Sequence, residues 1–456
     1  MGITPLFNPR GPARSVRKEE AGRAMGKPSR FWPLLLGPAV LLLTLAVACE
    51  GKEEKAAVTA TPTALLTGTA TSGATPTPAA AVPGITDTKI ILGSHAALSG
   101  SYGAVYASLI KGLQAYFRYV NEEKGGVCGR EIDFRVEDDQ YDPAKALEVT
   151  RKLLEQDKVF AIVAGLGTPA HSAVWEYLNE EGVPDLWIMS GAHKWAADPE
   201  AHPWSVAILP DYYIEGAIFG KYISENLPGK TVAVLYDNND AGWDRLAGLK
   251  SVLDPAQNPL VAEQPFEVTD ISIQSQVANA KESAAEVALC FSLPGYCAQG
   301  IKGANRMGWH PQWLMAYVNA DPIMFLYASP DLMEGVISLQ GNKMYDWTDD
   351  PAVAEHHRIM KEHGGPAPDN FSIVGQQAGE LTVEALSKTC DNLTREGLMA
   401  AVESITNYQG DLNLPGVKIT ISDTDHYAIE QVRMLKVTLV DGKGKWEYFG
   451  ELFSFR

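Results

Sequence analysis

The chain has 456 residues, 46% of them apolar, and a formal net charge of −18, which fits two or three domains and is too apolar for a disordered chain. Residues 1–48 carry a net +5, so the rest of the chain carries −23; a surface that acidic excludes nucleic acid as an expected partner, since phosphate binding needs clustered Lys and Arg. Five cysteines without a C-x-x-C pair argue against a structural metal, and a mean hydropathy of −0.10 with one long apolar run excludes a polytopic membrane protein.

That run, Phe31–Val47, is 17 residues without a charge, preceded by Lys27 and Arg30. It is short for a membrane span and reads as the apolar region of a signal peptide, residues 1–48, with Met25 as an alternative start. It ends Leu45-Ala46-Val47-Ala48-Cys49, which resembles a bacterial lipobox with the Leu one place early. On that reading Cys49 carries lipid and anchors the protein outside the bacterial cell membrane; the other reading is plain cleavage that leaves a free thiol. Residues 50–84 are mostly Ala, Thr, Pro, Gly and Ser, so 49–86 is read as anchor and flexible linker.

From Lys89 onward short apolar runs alternate with amphipathic stretches. A strand runs from Lys89 to Ala97, and a helix over Tyr106–Glu123 carries Leu109, Leu113, Phe117 and Val120 on one stripe. Strands follow at Glu131–Glu137, Phe160–Ala164, Leu186–Met189, Thr231–Tyr236, Val287–Phe291 and Trp313–Ala316. Helices fall at Pro143–Gln156, Ala170–Asn179, Asp211–Leu227, Arg245–Leu253 and Cys297–Met307, with a later helix at Ile373–Ser387 and a strand at Val432–Val440. This order predicts an α/β fold of two doubly wound lobes with parallel sheets and helices on both faces.

In such sheets ligands bind at the carboxyl ends of the strands. The loops there read Ser99-Gly100-Ser101-Tyr102-Gly103, Gly165-Leu166-Gly167-Thr168-Pro169, Ser190-Gly191-Ala192-His193 and Asp237-Asn238-Asn239-Asp240. Small residues let the backbone approach a ligand, and helix N-termini favour an anionic group. One such loop alone reads more readily as a tight turn; three on successive strands point to a binding crevice.

The strings LSGSYGAVYASLIKGLQAYFRYVNEEKGGVCGR, EDDQYDPAKALEVTRKLLEQDKVFAIVAGLGTPA, GVPDLWIMSGA and KTVAVLYDNNDAGWD resemble type I periplasmic binding proteins, and more narrowly the Leu/Ile/Val-binding receptors of branched-chain amino-acid ABC importers. The resemblance implies two lobes joined by a three-strand hinge, lobe 1 at 87–208 and 341–411 and lobe 2 at 209–340 and 412–456, closing on the ligand. It places Thr168 where the family holds the ligand carboxylate by a hydroxyl, and Gly191 and Ala192 where backbone N–H groups do so; His193 stands where a Thr is usual. The covering Tyr of the second lobe falls near Ala241, with Trp243 two residues on. The stretch Ala316-Tyr317-Val318-Asn319 holds no counterpart of the Glu that pairs a ligand ammonium; Asp240 or Asp321 could substitute. A buried ammonium without a counter-charge is costly, so the expected ligand is a small polar molecule: an amide, a carboxylic acid or, with such a rescue, an amino acid. The candidate ligand set is Ser99, Tyr102, Gly167, Thr168, Ser190, Gly191, Ala192, His193, Asp240, Trp243, Tyr317 and Asn319, with Tyr102 as an aromatic wall.

Rival chemistries lack their partners. Gly165-Leu166-Gly167-Thr168-Pro169-Ala170 fits G-x-G-x-x-A, but no acid ends the next strand, as dinucleotide binding requires. Ser108-Leu109-Ile110-Lys111 fits S-x-x-K without S-D-N or K-T-G. His356, His357 and His363 do not form H-E-x-x-H and read as a solvated face. No metal, cofactor or catalytic residue is expected. Cys128, Cys290, Cys297 and Cys390 allow three pairings or four reduced thiols; the resemblance, which brings the helices before Cys128 and Cys390 together, favours 128–390 with 290–297. The expected role is solute capture by a monomer for an ABC permease. A ligand sensor is a second possibility, and an enzyme on the same scaffold a third.

Overall fold

The computed structural model describes residues 81–454; the signal peptide, Cys49 and most of the linker lie outside them. The first sheet contains β1 Lys89–Ala96, β2 Glu131–Asp138, β3 Ala161–Val163, β4 Asp185–Ile188 and β5 Ser205–Ala207, in the order β2-β1-β3-β4-β5, all parallel. The second contains β6 Val232–Asp237, β7 Leu260–Phe266, β8 Val287–Phe291, β9 Gln312–Met315, β10 Ile337–Gln340, β11 Gln431–Val440 and β12 Lys443–Ser454, in the order β12-β11-β10-β9-β8-β6-β7. β10–β11 and β11–β12 pair antiparallel, so the second sheet is mixed at one edge.

Parallel strands covered on both faces bury consecutive side chains. In β6, Val232 and Val234 join one buried cluster and Ala233 and Leu235 another. The first of these clusters also takes in Leu92 and Leu186 of the first sheet. The chain crosses between the halves three times: after β5, after β10 and before β11. Isolated bridges Ala207–Tyr427 and Asn342–Asn413 tie the crossing segments together.

Two helix pairs pack at backbone distance. A Cβ at Gly216 would lie 1.9 Å from the Arg245 carbonyl oxygen, and one at Gly248 would lie 1.7 Å from that of Tyr213. Helices Tyr212–Asn226 and Asp240–Val252 therefore approach through glycine. Gly375 serves the same purpose, its Cβ position 2.0 Å from the Leu109 oxygen, where helix Asn370–Ser387 crosses helix Gly100–Lys124.

Several expectations change. The helix expected over Ala170–Asn179 is two pieces, Thr168–Ser172 and Trp175–Glu180, because Ser172 Oγ donates to the Thr168 oxygen at 2.7 Å and the Trp175 indole is drawn to Ser205 Oγ at 2.7 Å. β7 and helix Gln274–Glu282 were not foreseen; β7 is an edge strand carrying Pro265, which hides the strand pattern. His356 and His363 are buried rather than solvated. Helix Pro351–Glu362 turns His356 inward, its Nδ1 at 2.9 Å from Gln376 Oε1 and its Nε2 at 3.0 Å from Ser372 Oγ, and burial lowers its pKa to about 4. Disulfides join Cys128 to Cys390 and Cys290 to Cys297. Among the described residues no helix is long and apolar enough to cross a membrane.

Candidate functional site between the two sheets

The carboxyl ends of both sheets face one cavity of about 40 Å³. Thr168 follows β3, Met189 follows β4, Leu209 follows β5, Asp237 ends β6, Ser292 and Leu293 follow β8, and Tyr317 follows β9. Tyr106, Tyr141, Tyr212 and Phe371 add aromatic walls. Gly167 has φ +99°, and a Cβ there would lie 2.5 Å from Tyr141, so only glycine brings this loop against the ring.

The polar groups of the cavity are few. Ser190 Oγ receives the Trp195 indole N–H at 2.9 Å and the Ala192 N–H at 3.4 Å, and lies 2.7 Å from Thr168 Oγ1. With its acceptor capacity taken, Ser190 donates to Thr168, which leaves the Thr168 hydroxyl hydrogen available to another acceptor. Across the cavity, Arg245 Nε donates to Glu215 Oε2 at 2.5 Å and Nη1 to the Ala241 oxygen at 2.9 Å, while Nη2 has no acceptor although it is buried. The Tyr212 ring lies 3.4 Å from the guanidinium carbon. Asp237 accepts from Ser292 Oγ at 2.5 Å. Burial raises its carboxyl to about 7, against the opposing pull of Ser292 and of the Arg245 charge.

The halves are latched on both sides of this cavity. On one side the His193 N–H donates to Asp244 Oδ2 at 2.8 Å and Lys194 Nζ to Asp240 Oδ2 at 2.7 Å. On the other the Tyr102 hydroxyl donates to the Val268 oxygen.

Of the residues expected from sequence, Gly167, Thr168 and Tyr317 line the cavity. Ser190 backs Thr168 from behind; Gly191 lies tight against the Pro210 carbonyl, and Ala192 packs in the aromatic cluster of Trp175 and Trp195. The others sit elsewhere. His193 pairs through Nδ1 with Asp211 Oδ2 at 2.6 Å, and Ser99 Oγ bonds Asp138 Oδ2 at 2.5 Å. Asp240 holds the Lys194 latch. Trp243 is half exposed and donates to Asn238 Oδ1 at 3.1 Å rather than closing over the cavity. Asn319 is buried and holds the Ser292 and Ala316 oxygens, each at 3.0 Å. Tyr102 lines an outer groove, not the cavity. Asp321 is bound to the Asn370 and Ile323 N–H groups, away from the cavity lining.

Asp237 and Arg245 were missed. Asp237 opens a strand-end loop that sequence marks, where Asp240 was preferred. Nothing local marks Arg245, whose partner Glu215 lies thirty residues away.

A model of the family described as periplasmic binding protein matches residues 89–445, and the chain belongs to that family, with the type I fold. A fatty acid ABC transporter substrate-binding protein from Thermomonospora curvata superposes with TM-score 0.71 at 25% identity, over 82% of this chain and 94% of that one. A branched chain amino acid ABC transporter protein from Thermus thermophilus with bound valine superposes with TM-score 0.72 at 18% identity, over 81% and 97%. An amino acid binding protein from Pseudomonas aeruginosa is 22% identical over 284 residues, 62% of this chain and 73% of its own. These relatives are solute-binding proteins.

Proposed function

We propose that the chain is an extracytoplasmic solute-binding lipoprotein. It encloses a small ligand with a carboxylate end and an apolar body, and delivers it as a monomer to an ABC permease from an anchor at Cys49. The observation that carries the ligand class is Arg245, a charged residue that lines the cavity and whose buried Nη2 has no acceptor. A buried unsatisfied donor is costly, and a charge-assisted bond to a carboxylate removes the penalty. The Thr168 hydroxyl offers a second donor from the opposite sheet. The Thermomonospora relative's described ligand class agrees with a carboxylic acid.

A second reading, an apolar α-amino acid, is favoured by Asp237, which would pair an ammonium; the Pseudomonas relative's description agrees with it. The two readings differ in pH sign. A carboxylate beside Asp237 raises its pKa further and takes up a proton, so affinity falls above pH 7. An ammonium lowers that pKa and releases a proton, so affinity rises from pH 6 to 8. Calorimetry with 4-methylpentanoate, its amide and leucine at pH 6 and pH 8 separates them, after a thermal-shift panel of acids, amides and amino acids. Amides binding as tightly as the matched acids would sink the carboxylate reading. A panel in which no compound raises the melting temperature would count against solute capture.

A further inference from the structure

Beside the cavity lies an open groove of about 790 Å³, walled by helix Gly100–Lys124 of the first half and by the 268–271 loop and helices Pro294–Arg306 and Ile323–Ala328 of the second. We propose that this groove is a second section of the ligand site and receives the apolar chain of a long-chain carboxylate whose head group lies at Arg245. The inference rests on the carboxylate reading above and extends it to the length of the ligand.

Three observations carry it. The groove adjoins the cavity, because Tyr106 and Leu293 line both. The cavity, at about 40 Å³, holds little beyond a head group, while the groove beside it is about 790 Å³. The groove also presents apolar surface that the fold does not use. Ile271 is 95% exposed and Leu326 83%, the two most exposed large apolar side chains among the described residues, and both line it. Single exposed apolar residues are ordinary, but two at the rim of one groove form a patch that a ligand would cover.

Two of the groove's phenols are already engaged. The Tyr296 hydroxyl lies 2.7 Å from the Val268 oxygen and 2.9 Å from that of Asp270, and the Tyr102 hydroxyl is held by Val268 too. Both phenols therefore offer ring surface rather than hydrogen bonds. Asp270 and Lys302 are the charged residues of the lining and cancel, so the groove suits a neutral chain.

The test is a ladder of straight-chain carboxylates from butanoate to hexadecanoate, each below its micelle concentration, titrated into the mature protein. Burying a methylene strengthens binding about fourfold, so affinity should climb well past hexanoate. Gly295 lines the groove and its Cβ position meets nothing within 4 Å, so Gly295→Phe fills the groove without disturbing the fold. It should weaken hexadecanoate at least tenfold and leave butanoate within twofold. Ile271→Ser with Leu326→Ser, both at the rim, should also weaken hexadecanoate alone. A ladder that stays flat while short acids bind overturns the groove proposal and leaves the carboxylate reading standing. Gly295→Phe that impairs uptake in cells but no ligand affinity also overturns it, and assigns the groove to a protein partner. Failure of short and long acids alike removes the head-group reading and this inference together.

Discussion

Thr168 and Asp237 face the same cavity and make opposite predictions. The Thr168 hydroxyl is not a helix cap, since Gly167 occupies that position and the helix start has no side-chain cap bond. Thr168→Ala should weaken ligand binding about tenfold or more, with a stability loss of about 1 kcal/mol from the bond to Ser190. Calorimetry and denaturant unfolding of the same variant check both; lost stability with unchanged affinity would remove Thr168 from the site. Asp237 has a folded-state pKa raised from 3.8 to about 7. Between those values the native state binds more protons than the unfolded state, so this group's contribution to stability is full below pH 4 and is lost as pH rises through 7. Asp237→Asn should therefore stabilise the ligand-free protein at pH 8 and change little near pH 4. Equal effects at the two pH values, read from melting curves, would contradict the assigned burial.

The helix pairs that hold these groups depend on close approach. At Gly216 an added Cβ would overlap the Arg245 carbonyl, and the helix that moves away carries Arg245 with it. Gly216→Val should cost about 3 kcal/mol or more and also weaken carboxylate binding, whereas Gly295→Phe should leave stability unchanged. Urea unfolding of the two variants makes the comparison. The Cys128–Cys390 bond closes a 262-residue loop. Chain entropy assigns such a loop on the order of 5 kcal/mol. Cys128→Ser with Cys390→Ser should lower the melting temperature well below that of the Cys290→Ser and Cys297→Ser pair, whose loop spans 7 residues.

The structure has the two halves in contact on both sides of the cavity, so these contacts narrow the way in for a ligand. Separation of the lobes parts the latches at Lys194–Asp240 and Tyr102–Val268 and widens that entry. The Lys194–Asp240 pair is only partly buried and is screened by solvent, so it opposes separation of the lobes modestly. Ligand-free protein should scatter with a larger radius of gyration than protein saturated with a carboxylate that raises its melting temperature. An unchanged radius at saturation would argue against hinge closure. Lys194→Ala should leave the ligand-bound radius unchanged and shift ligand-free protein further toward the open form.

Alternation of apolar runs with amphipathic stretches was enough, by itself, to determine two α/β lobes and the strand ends where ligand would sit, because parallel sheets impose both patterns locally. It also marked the loop of Gly167 and Thr168 as a strand end, while the family resemblance supplied the ligand role of Thr168 and the position of Tyr317. What sequence could not show is which side chains the fold turns inward and leaves unpaired. Arg245 sits inside a helix and looks like a surface cation until Glu215, on the neighbouring helix, draws it into the core. Trp243, two residues before it, looks like a lid but points outward, because the helix crossing through Gly216 and Gly248 fixes which face is buried. His356 likewise reads as solvated until Gln376 and Ser372 meet it. Each of these outcomes depends on contacts between segments distant in the chain, and only packing decides them.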